Sequence, residues 1–366
     1  MQILHVNKYF PPWIGGIETI VSEITEFLQD DTHVNHVLVC QGSHATTSTE
    51  TIQGVNVIRV KTWGSLFSMP LSFEFFSRFK KEMQTTDVVL LHHPFPLGFL
   101  AAALFAKKKR IVVFYHADIV RQKWVATLLA PLFHLIFARA SDIIVTSNRV
   151  KEFSPHLRAY QSKCKTIPLW IHETDFDLTS QNKQMADEIR TTYGQPLVLS
   201  VGRLVSYKGY DIFMDAMKDI SVHALIIGTG PLKQELLEHI RKNNLASRIT
   251  ILDPVQNLAP YYYAATLFVL PSITHAEAFG IVQLEAMYCG CPVVNTALKT
   301  GVPEVSLDQI TGLTVPPNDS AALAQAINTI LSNQEMRAKF SERAHERVLK
   351  IFSQENARTK IRQIFS

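Results

Sequence analysis

The run Glu277-Ala278-Phe279-Gly280-Ile281-Val282-Gln283-Leu284-Glu285 sets two carboxylates on either side of a glycine, after an apolar strand pattern at residues 267–270. Read with the helical period that follows, it is a strand, a loop and a helix that opens near Gly280, with Glu277 in the loop and Glu285 two turns into the helix. Such a helix start offers unpaired backbone N–H groups and the positive end of a dipole, which suit phosphate oxygens or an anionic leaving group. Glu285 is then placed for a ribose and Glu277 for a sugar hydroxyl. Taken alone, the same residues also describe an ordinary corner with two solvated acids, so the rest of the chain has to decide.

The same strand-loop-helix unit recurs outward from this run. Short apolar strands are expected at residues 3–6, 34–40, 55–60, 88–91, 110–115 and 143–146, and again at 197–201, 224–227, 249–252, 267–270, 292–295 and 312–315, with helical patterns between them. That alternation predicts an α/β protein of two domains, each a parallel sheet with helices on both faces. The 366 residues are roughly twice a usual domain, and an apolar content of 47% fills two cores. The domains are expected at residues 1–172 and 173–350, with the join near 168–177. Residues 337–366 read as helices interrupted near Ser353, and no low-complexity segment or short repeat is visible.

Upstream, Val201-Gly202-Arg203-Leu204-Val205-Ser206-Tyr207-Lys208-Gly209 brings two cations to a second strand-to-helix junction. A diphosphate leaving a sugar needs such cations, because departure concentrates negative charge on its oxygens. Either cation taken singly reads equally well as a surface charge. The motifs Arg203-Leu204-Val205-x-Tyr207-Lys208-Gly209, Ala278-Phe279-Gly280-Ile281-Val282-x-Leu284-Glu285-Ala286 and Thr300-Gly301-Val302-Pro303-Glu304-Val305 together resemble glycosyltransferase family 4. That family contains retaining sugar-nucleotide enzymes of the GT-B fold, and the motifs are most similar to those of bacterial polysaccharide and O-antigen mannosyltransferases. The resemblance covers nearly the whole chain and is sharpest at residues 197–317.

The resemblance implies two Rossmann-like domains facing across a cleft, with a final helix at 351–366 crossing back onto the first. It implies a donor site at Gly202, Arg203, Lys208, Phe279, Gly280, Ile281, Val282 and Glu285, completed by the glycine pair Gly15 and Gly16 beneath the diphosphate. Pro11-Pro12-Trp13-Ile14-Gly15-Gly16-Ile17-Glu18 follows the first strand, where glycines let backbone approach a ligand closely; a simple tight turn is the other reading. His116-Ala117-Asp118 ends the strand at 111–115, and ligands bind at the carboxyl ends of strands in open sheets. By resemblance His116 contacts a sugar hydroxyl or positions the acceptor, with Asp118 beside it, a merely structural role being the other reading, and His92 of Leu91-His92-His93-Pro94-Phe95-Pro96 belongs to an acceptor-side loop. The catalytic set is thus His116, Arg203, Lys208 and Glu277.

The reaction implied is transfer of a hexose with retention, by same-face attack in which a donor phosphate oxygen takes the acceptor proton. GDP-mannose is the expected donor, with UDP-N-acetylglucosamine, UDP-N-acetylgalactosamine or UDP-glucose as alternatives. The expected acceptor is a polyprenyl-diphosphate-linked glycan. Domain closure would exclude water and align the reactants. A sugar-nucleotide epimerase or a non-catalytic glycan-binding relative on the same fold is the alternative; Arg203, Lys208, Glu277 and Glu285 together favour transfer, since a binding module would not need them all.

Three other motifs are weaker. Asp175-Phe176-Asp177 has the form of a metal-holding Asp-x-Asp but falls in the join, and the two histidines at 92–93 lack a third ligand, so no metal and no cofactor are expected. Gly228-Thr229-Gly230-Pro231-Leu232-Lys233 lacks the third glycine of a dinucleotide fingerprint. Cys40, Cys164, Cys289 and Cys291 have neither zinc nor redox spacing and read as reduced thiols of a cytosolic protein.

Residues 1–175 carry 18 Lys and Arg against 14 Asp and Glu, and the remainder carries 18 of each, so the net charge of +4 lies in the first half. Clusters at Arg78-Phe79-Lys80-Lys81 and Lys107-Lys108-Lys109-Arg110, with Arg121, Lys123 and Trp124 near them in sequence, suit an anionic inner-membrane surface; a solvated helix end also explains the lysine run. No nucleic-acid partner is expected. The strand pattern starts at residue 2, so no signal peptide is expected. Residues 124–138 contain Pro131 and His134 and are too short to span a bilayer, so they read as a buried helix or one that docks on a membrane. The expected location is cytoplasmic, on the inner face of the membrane.

Overall fold

A computed structural model describes residues 1–13, 15–30, 32–41, 46–66, 69–118 and 123–366, without the side chains of 66 and 123–126. Ile14 and Arg121, and the side chains of Lys123 and Trp124, therefore lie outside the described residues. The chain forms two compact units, Met1–Ile167 with Arg358–Ser366, and Pro168–Ala357. The first crossing falls at 167 rather than 172 because the Ile167 N–H still donates to Val145 O, whereas that of Ile171 already donates to Phe352 O. The second falls at 357 rather than 350. The last helix, Gln354–Phe365, belongs to the second unit at its start and to the first from Arg358 onward, where Arg362 Nε donates to Phe27 O at 2.7 Å.

The first unit contains strands β1 (Gln2–Val6), β2 (Val34–Cys40), β3 (Ser48–Ile52), β4 (Val55–Val60), β5 (Gly64–Leu66), β6 (Met69–Leu71), β7 (Val88–His93), β8 (Arg110–Tyr115), β9 (Asp142–Val145) and β10 (Cys164–Thr166). Its main sheet runs β10-β9-β8-β7-β1-β2-β4-β3, parallel throughout except for β3 against β4. The central strands are buried on both faces, which is why they read as unbroken apolar runs such as Val88-Val89-Leu90-Leu91. The polar edge strand β3, the β5–β6 hairpin and the three-residue β10 carry no such signal.

The second unit contains β11 (Leu197–Val201), β12 (His223–Ile227), β13 (Ile249–Leu252), β14 (Leu267–Val269), β15 (Val293–Thr296) and β16 (Gly312–Val315). They form one parallel sheet ordered β13-β12-β11-β14-β15-β16. The order runs one way from β11 and the other way from β14. The connections therefore leave the sheet in opposite directions at the β11–β14 boundary and open a crevice at the carboxyl ends of these two strands. Side-chain caps set several helix starts: Thr179 Oγ1 accepts from Asn182 N, and Asp319 Oδ1 from Ala322 N.

The helix expected at 124–138 forms as Lys123–Arg139 around Pro131, burying Phe133, Ile136 and Phe137 while Leu128 stands exposed. No helix among the described residues is long and apolar enough to cross a membrane.

Candidate active site

The crevice between β11 and β14 collects the chemistry of the second unit. After β11 the chain turns through Gly202 and Arg203 into a short 3-10 turn, Ser206–Lys208, and then the helix Tyr210–Ala216. Gly209 joins them with φ +65°, and a Cβ there would lie 2.3 Å from Pro271 O, so only glycine lets this loop approach the one after β14 so closely. The Ile273 N–H, donating to Tyr207 O at 2.8 Å, ties the two loops together.

Across that seam Lys208 Nζ meets Glu277 Oε2 at 2.6 Å, and both residues are buried, at 7% and 8% exposure. Ser272 Oγ donates to the same carboxylate oxygen at 2.9 Å. Arg203 is exposed, and its guanidinium makes no ion pair or side-chain hydrogen bond among the described residues.

Gly280 has φ +77° and is not helical, so the helix starts later than the sequence suggested, as Val282–Tyr288. Glu285 consequently lies in its first turn rather than two turns in. One Glu285 oxygen accepts from Tyr262 Oη at 2.6 Å. Burial pushes the Glu285 carboxyl up, against the lowering effects of this hydrogen bond and of the nearby Lys208 charge. Burial also pushes the Tyr262 phenol well up, reinforced by the Glu285 charge, so Tyr262 stays a donor.

Gln283 fills the variable position of its motif and is wholly buried. Its Oε1 accepts from Asn295 Nδ2 at 2.8 Å, and its Nε2 donates to Phe279 O and Val302 O at 3.3 Å each. Gly301 N–H donates to Ala278 O at 2.8 Å, so the Thr300–Val305 motif braces the Phe279–Gly280 loop from behind. Phe279 is buried, whereas Ile281 and Val282 remain partly exposed.

A cavity of about 180 Å³ opens at the carboxyl ends of β11, β12 and β13, lined among others by Gly202, Arg203, Thr229, Pro254, Val255 and Leu258. A Cβ on Gly228 would lie 1.9 Å from Gly202 O, so the first glycine of the fingerprint-like Gly228-Thr229-Gly230 is explained by loop packing. Pro254, Val255, Tyr262 and Gln283 were missed in the sequence. The cavity follows directly from the carboxyl-end rule once three strands are known to be neighbours, whereas Tyr262 and Gln283 leave no sequence signal.

Asp175 and Asp177 lie in the second unit, around the 3-10 turn Glu173–Phe176, where Asp177 Oδ1 accepts from Tyr288 Oη at 2.8 Å. No group of three metal-ligating side chains occurs among the described residues.

In the first unit, Gly15 caps the helix Gly16–Phe27 in an extended conformation. A Cβ on Gly16 would meet nothing within 4 Å, and one on Gly15 only the flexible Glu18 side chain, so internal packing does not demand this pair. The two histidines of β7 point to opposite faces. His93 is in the core, stacked on Tyr115 at 4.3 Å, with Nδ1–H donating to Ala117 O. His92 is no loop residue either: it is buried in β7 behind His116, the two joined by a 3.0 Å Nδ1···Nε2 hydrogen bond. Burial holds His116 and His93 down to about 3, and His92 also well below the ordinary histidine value, so all three are neutral. Asp118 accepts from Tyr115 Oη and, at 2.8 Å, from Ser154 Oγ. In the basic clusters Arg110 is committed to Asp142 and Ile364 O, and Arg78 Nη2 to Thr49 Oγ1, leaving Lys80, Lys81, Lys107 and Lys108 free to solvent.

Residues 14–174 match the family model "Glycosyltransferase Family 4", and residues 182–347 match "Glycosyl transferases group 1". The chain is 29% identical over 357 residues to O-antigen chain mannosyltransferase C of Escherichia coli, covering 96% of this chain and 95% of that protein. It is also 29% identical over 359 residues to D-rhamnosyltransferase WbpZ of Pseudomonas aeruginosa, covering 96% and 92%. Its fold superposes on sucrose-phosphate synthase of Thermosynechococcus elongatus with a TM-score of 0.81, at 22% identity over 100% and 98% of the two chains. A parallel sheet in each unit, a strand-order reversal carrying a buried Lys–Glu pair, and family matches over both halves lead to one assignment: the chain is a glycosyltransferase of family 4 with the GT-B fold.

Proposed function

We propose that this enzyme transfers a mannosyl group from GDP-mannose, with retention of configuration, onto a lipid-linked glycan during synthesis of a bacterial surface polysaccharide. The observation that carries the reading is the Lys208–Glu277 pair beside the free Arg203 at the β11–β14 reversal. It supports the reading because two cations at one strand-order reversal suit a departing nucleoside diphosphate, whose developing charge needs such partners. The mannose assignment draws on the two relatives, whose names specify mannosyl and D-rhamnosyl transfer; D-rhamnose is 6-deoxy-D-mannose, so both move a sugar of the same ring configuration.

In this reading the cavity at the ends of β11–β13 takes the base; it is smaller than a whole-ligand pocket, and glycines and apolar side chains make up most of its lining beside Arg203 and Thr229, as suits one flat ring. Glu285, held by Tyr262, accepts from the ribose hydroxyls. Glu277 orients Lys208 with one oxygen and meets a sugar hydroxyl with the other. Both carboxylates are thereby engaged in positioning, which favours same-face attack with a donor phosphate oxygen as the proton acceptor over a covalent carboxylate intermediate. The first unit takes the acceptor at His116 and Asp118, and its lysines attract an anionic membrane surface. Screening GDP-mannose, GDP-rhamnose and UDP-hexoses for nucleoside diphosphate release that depends on a polyprenyl-diphosphate glycan tests the reading. Turnover confined to UDP-sugars overturns the donor, and release without sugar transfer overturns the reaction.

A further inference from the structure

A polar line crosses one face of the first-unit sheet. Asn35 of β2 and His5 of β1 are joined at 2.9 Å, while His92 of β7 and His116 after β8 are joined at 3.0 Å. His5 and His92 face each other with ring centroids 6.2 Å apart. Hydrogen bonding fixes the protons at the start of this line. Asn35 Nδ2 donates to Gln29 Oε1 at 2.9 Å, which turns Asn35 Oδ1 toward His5 and makes His5 Nε2 the protonated nitrogen. The nitrogen left buried without a partner, His5 Nδ1, is then a bare lone pair.

The same reasoning applies to His92. Its Nε2 is also buried without a partner, enclosed by Phe114 at 5.9 Å and by the His5 ring. If Nε2 carried the proton, an N–H donor would be orphaned in the core, which native structures almost never tolerate, whereas an unused acceptor is more common. The proton of the neutral ring therefore sits on Nδ1 and is donated to His116 Nε2. The His92 and His116 centroids lie 5.3 Å apart with planes 18° from parallel, so this bond runs nearly in the plane of both rings, along the lone pair. With its Nε2 occupied as an acceptor, neutral His116 must hold its own proton on Nδ1.

We infer that His92 is a positioning residue that fixes the tautomer of His116, so that His116 meets its substrate as an Nδ1–H hydrogen-bond donor to a sugar oxygen and not as a base. The functional half of this inference rests on the proposed contact between His116 and substrate; the tautomer does not. Phe114 stacks against His116 at 4.4 Å, so the ring is held by one hydrogen bond on its edge and one aromatic face. A hydroxyl oxygen accepting from such a ring is oriented with its own proton free for transfer elsewhere, in keeping with a donor phosphate oxygen as the proton acceptor.

Long-range ¹H–¹⁵N correlation on intact, ¹⁵N-histidine-labelled protein reads the tautomer directly, with the His116 signals assigned by their loss in His116→Gln. A protonated Nδ1 and bare Nε2 on His116 support the inference; the reverse pattern overturns it, whether or not the enzyme proves to use GDP-mannose. Kinetics give the second arm. In His92→Asn the side-chain amide stands where Nδ1–H stood and should keep kcat near that of the parent, whereas His92→Leu should lose about tenfold, the worth of one hydrogen bond, with nucleoside diphosphate affinity unchanged. Equal kcat in the two variants overturns the positioning role.

Discussion

Lys208 and Glu277 form a buried ion pair at 2.6 Å, one residue from the loop after β11 and the other from the loop after β14, the two strands at which the sheet order reverses. The pair joins the loops and also sets the cation at the proposed diphosphate position. In that proposal stability and catalysis are coupled at one pair, and they can be separated. Lys208→Ala and Glu277→Ala each strand an unpaired buried charge and should destabilise the protein by about 3–5 kcal/mol. The double variant Lys208→Met, Glu277→Leu should recover most of that in denaturant titrations while transferring no sugar. Single variants as stable as the parent would show that the pair is not closed in solution.

Arg203 is the complementary case, because its side chain is exposed and unpaired. Arg203→Ala should leave stability within about 0.5 kcal/mol of the parent and still lower turnover on the order of 100-fold. Unchanged turnover in a donor-saturated assay would remove Arg203 from the leaving-group site.

Glu285 is assigned to the nucleotide and Glu277 to the transferred hexose. Loss of a charged hydrogen bond costs about 1.5–3 kcal/mol, so Glu285→Ala should weaken free GDP by that amount. Calorimetric titration of GDP and UDP into Glu285→Ala and Glu277→Gln, the latter keeping Lys208, tests the division, and equal loss of nucleotide affinity in both would refute it.

The half-buried Glu285, its carboxyl held by Tyr262, also gives a pH signature. Its pKa is raised by burial in the folded state, so folding binds its proton more tightly than the unfolded chain does, and its contribution to stability is lost as pH rises through the raised value. Glu285→Gln keeps an acceptor for Tyr262 Oη and does not titrate. Its stability relative to the parent should therefore rise from acid toward neutral pH and level off once the parent carboxyl is ionised. A difference independent of pH would mean the carboxyl is solvated.

With Arg203 and Lys208 as the counter-charges and Asp177 engaged by Tyr288, transfer should proceed in excess EDTA. Loss of activity that manganese restores would assign the leaving-group charge to a metal instead.

Lys80, Lys81, Lys107 and Lys108 are exposed on the first unit, and each well-placed cation is worth about 1 kcal/mol at an anionic bilayer. Binding to phosphatidylglycerol vesicles should appear in flotation at low salt and fade as the Debye length shrinks. Binding that persists in high salt, or none at low salt, counts against an electrostatic attachment.

The sequence by itself determined the two parallel sheets, because strands buried on both faces must be apolar along their length, as at residues 88–91 and 197–201. It also determined the strand-to-helix junctions proposed here for the ligand, since Gly209 and Gly280 adopt backbone conformations that other residues resist. The edge strand β3 stayed hidden because a solvent-facing edge carries polar residues, and β10 because three residues set no period. What only the tertiary structure decided is which side chains meet. Lys208 and Glu277 pair because β11 and β14 are neighbours in the sheet, Tyr262 finds Glu285 from a separate helix, and His92 faces His116 because β7 pairs with β8 in a register that opposes His92 to Phe114. Sheet order and register arise from long-range packing, and no local pattern of residues encodes them.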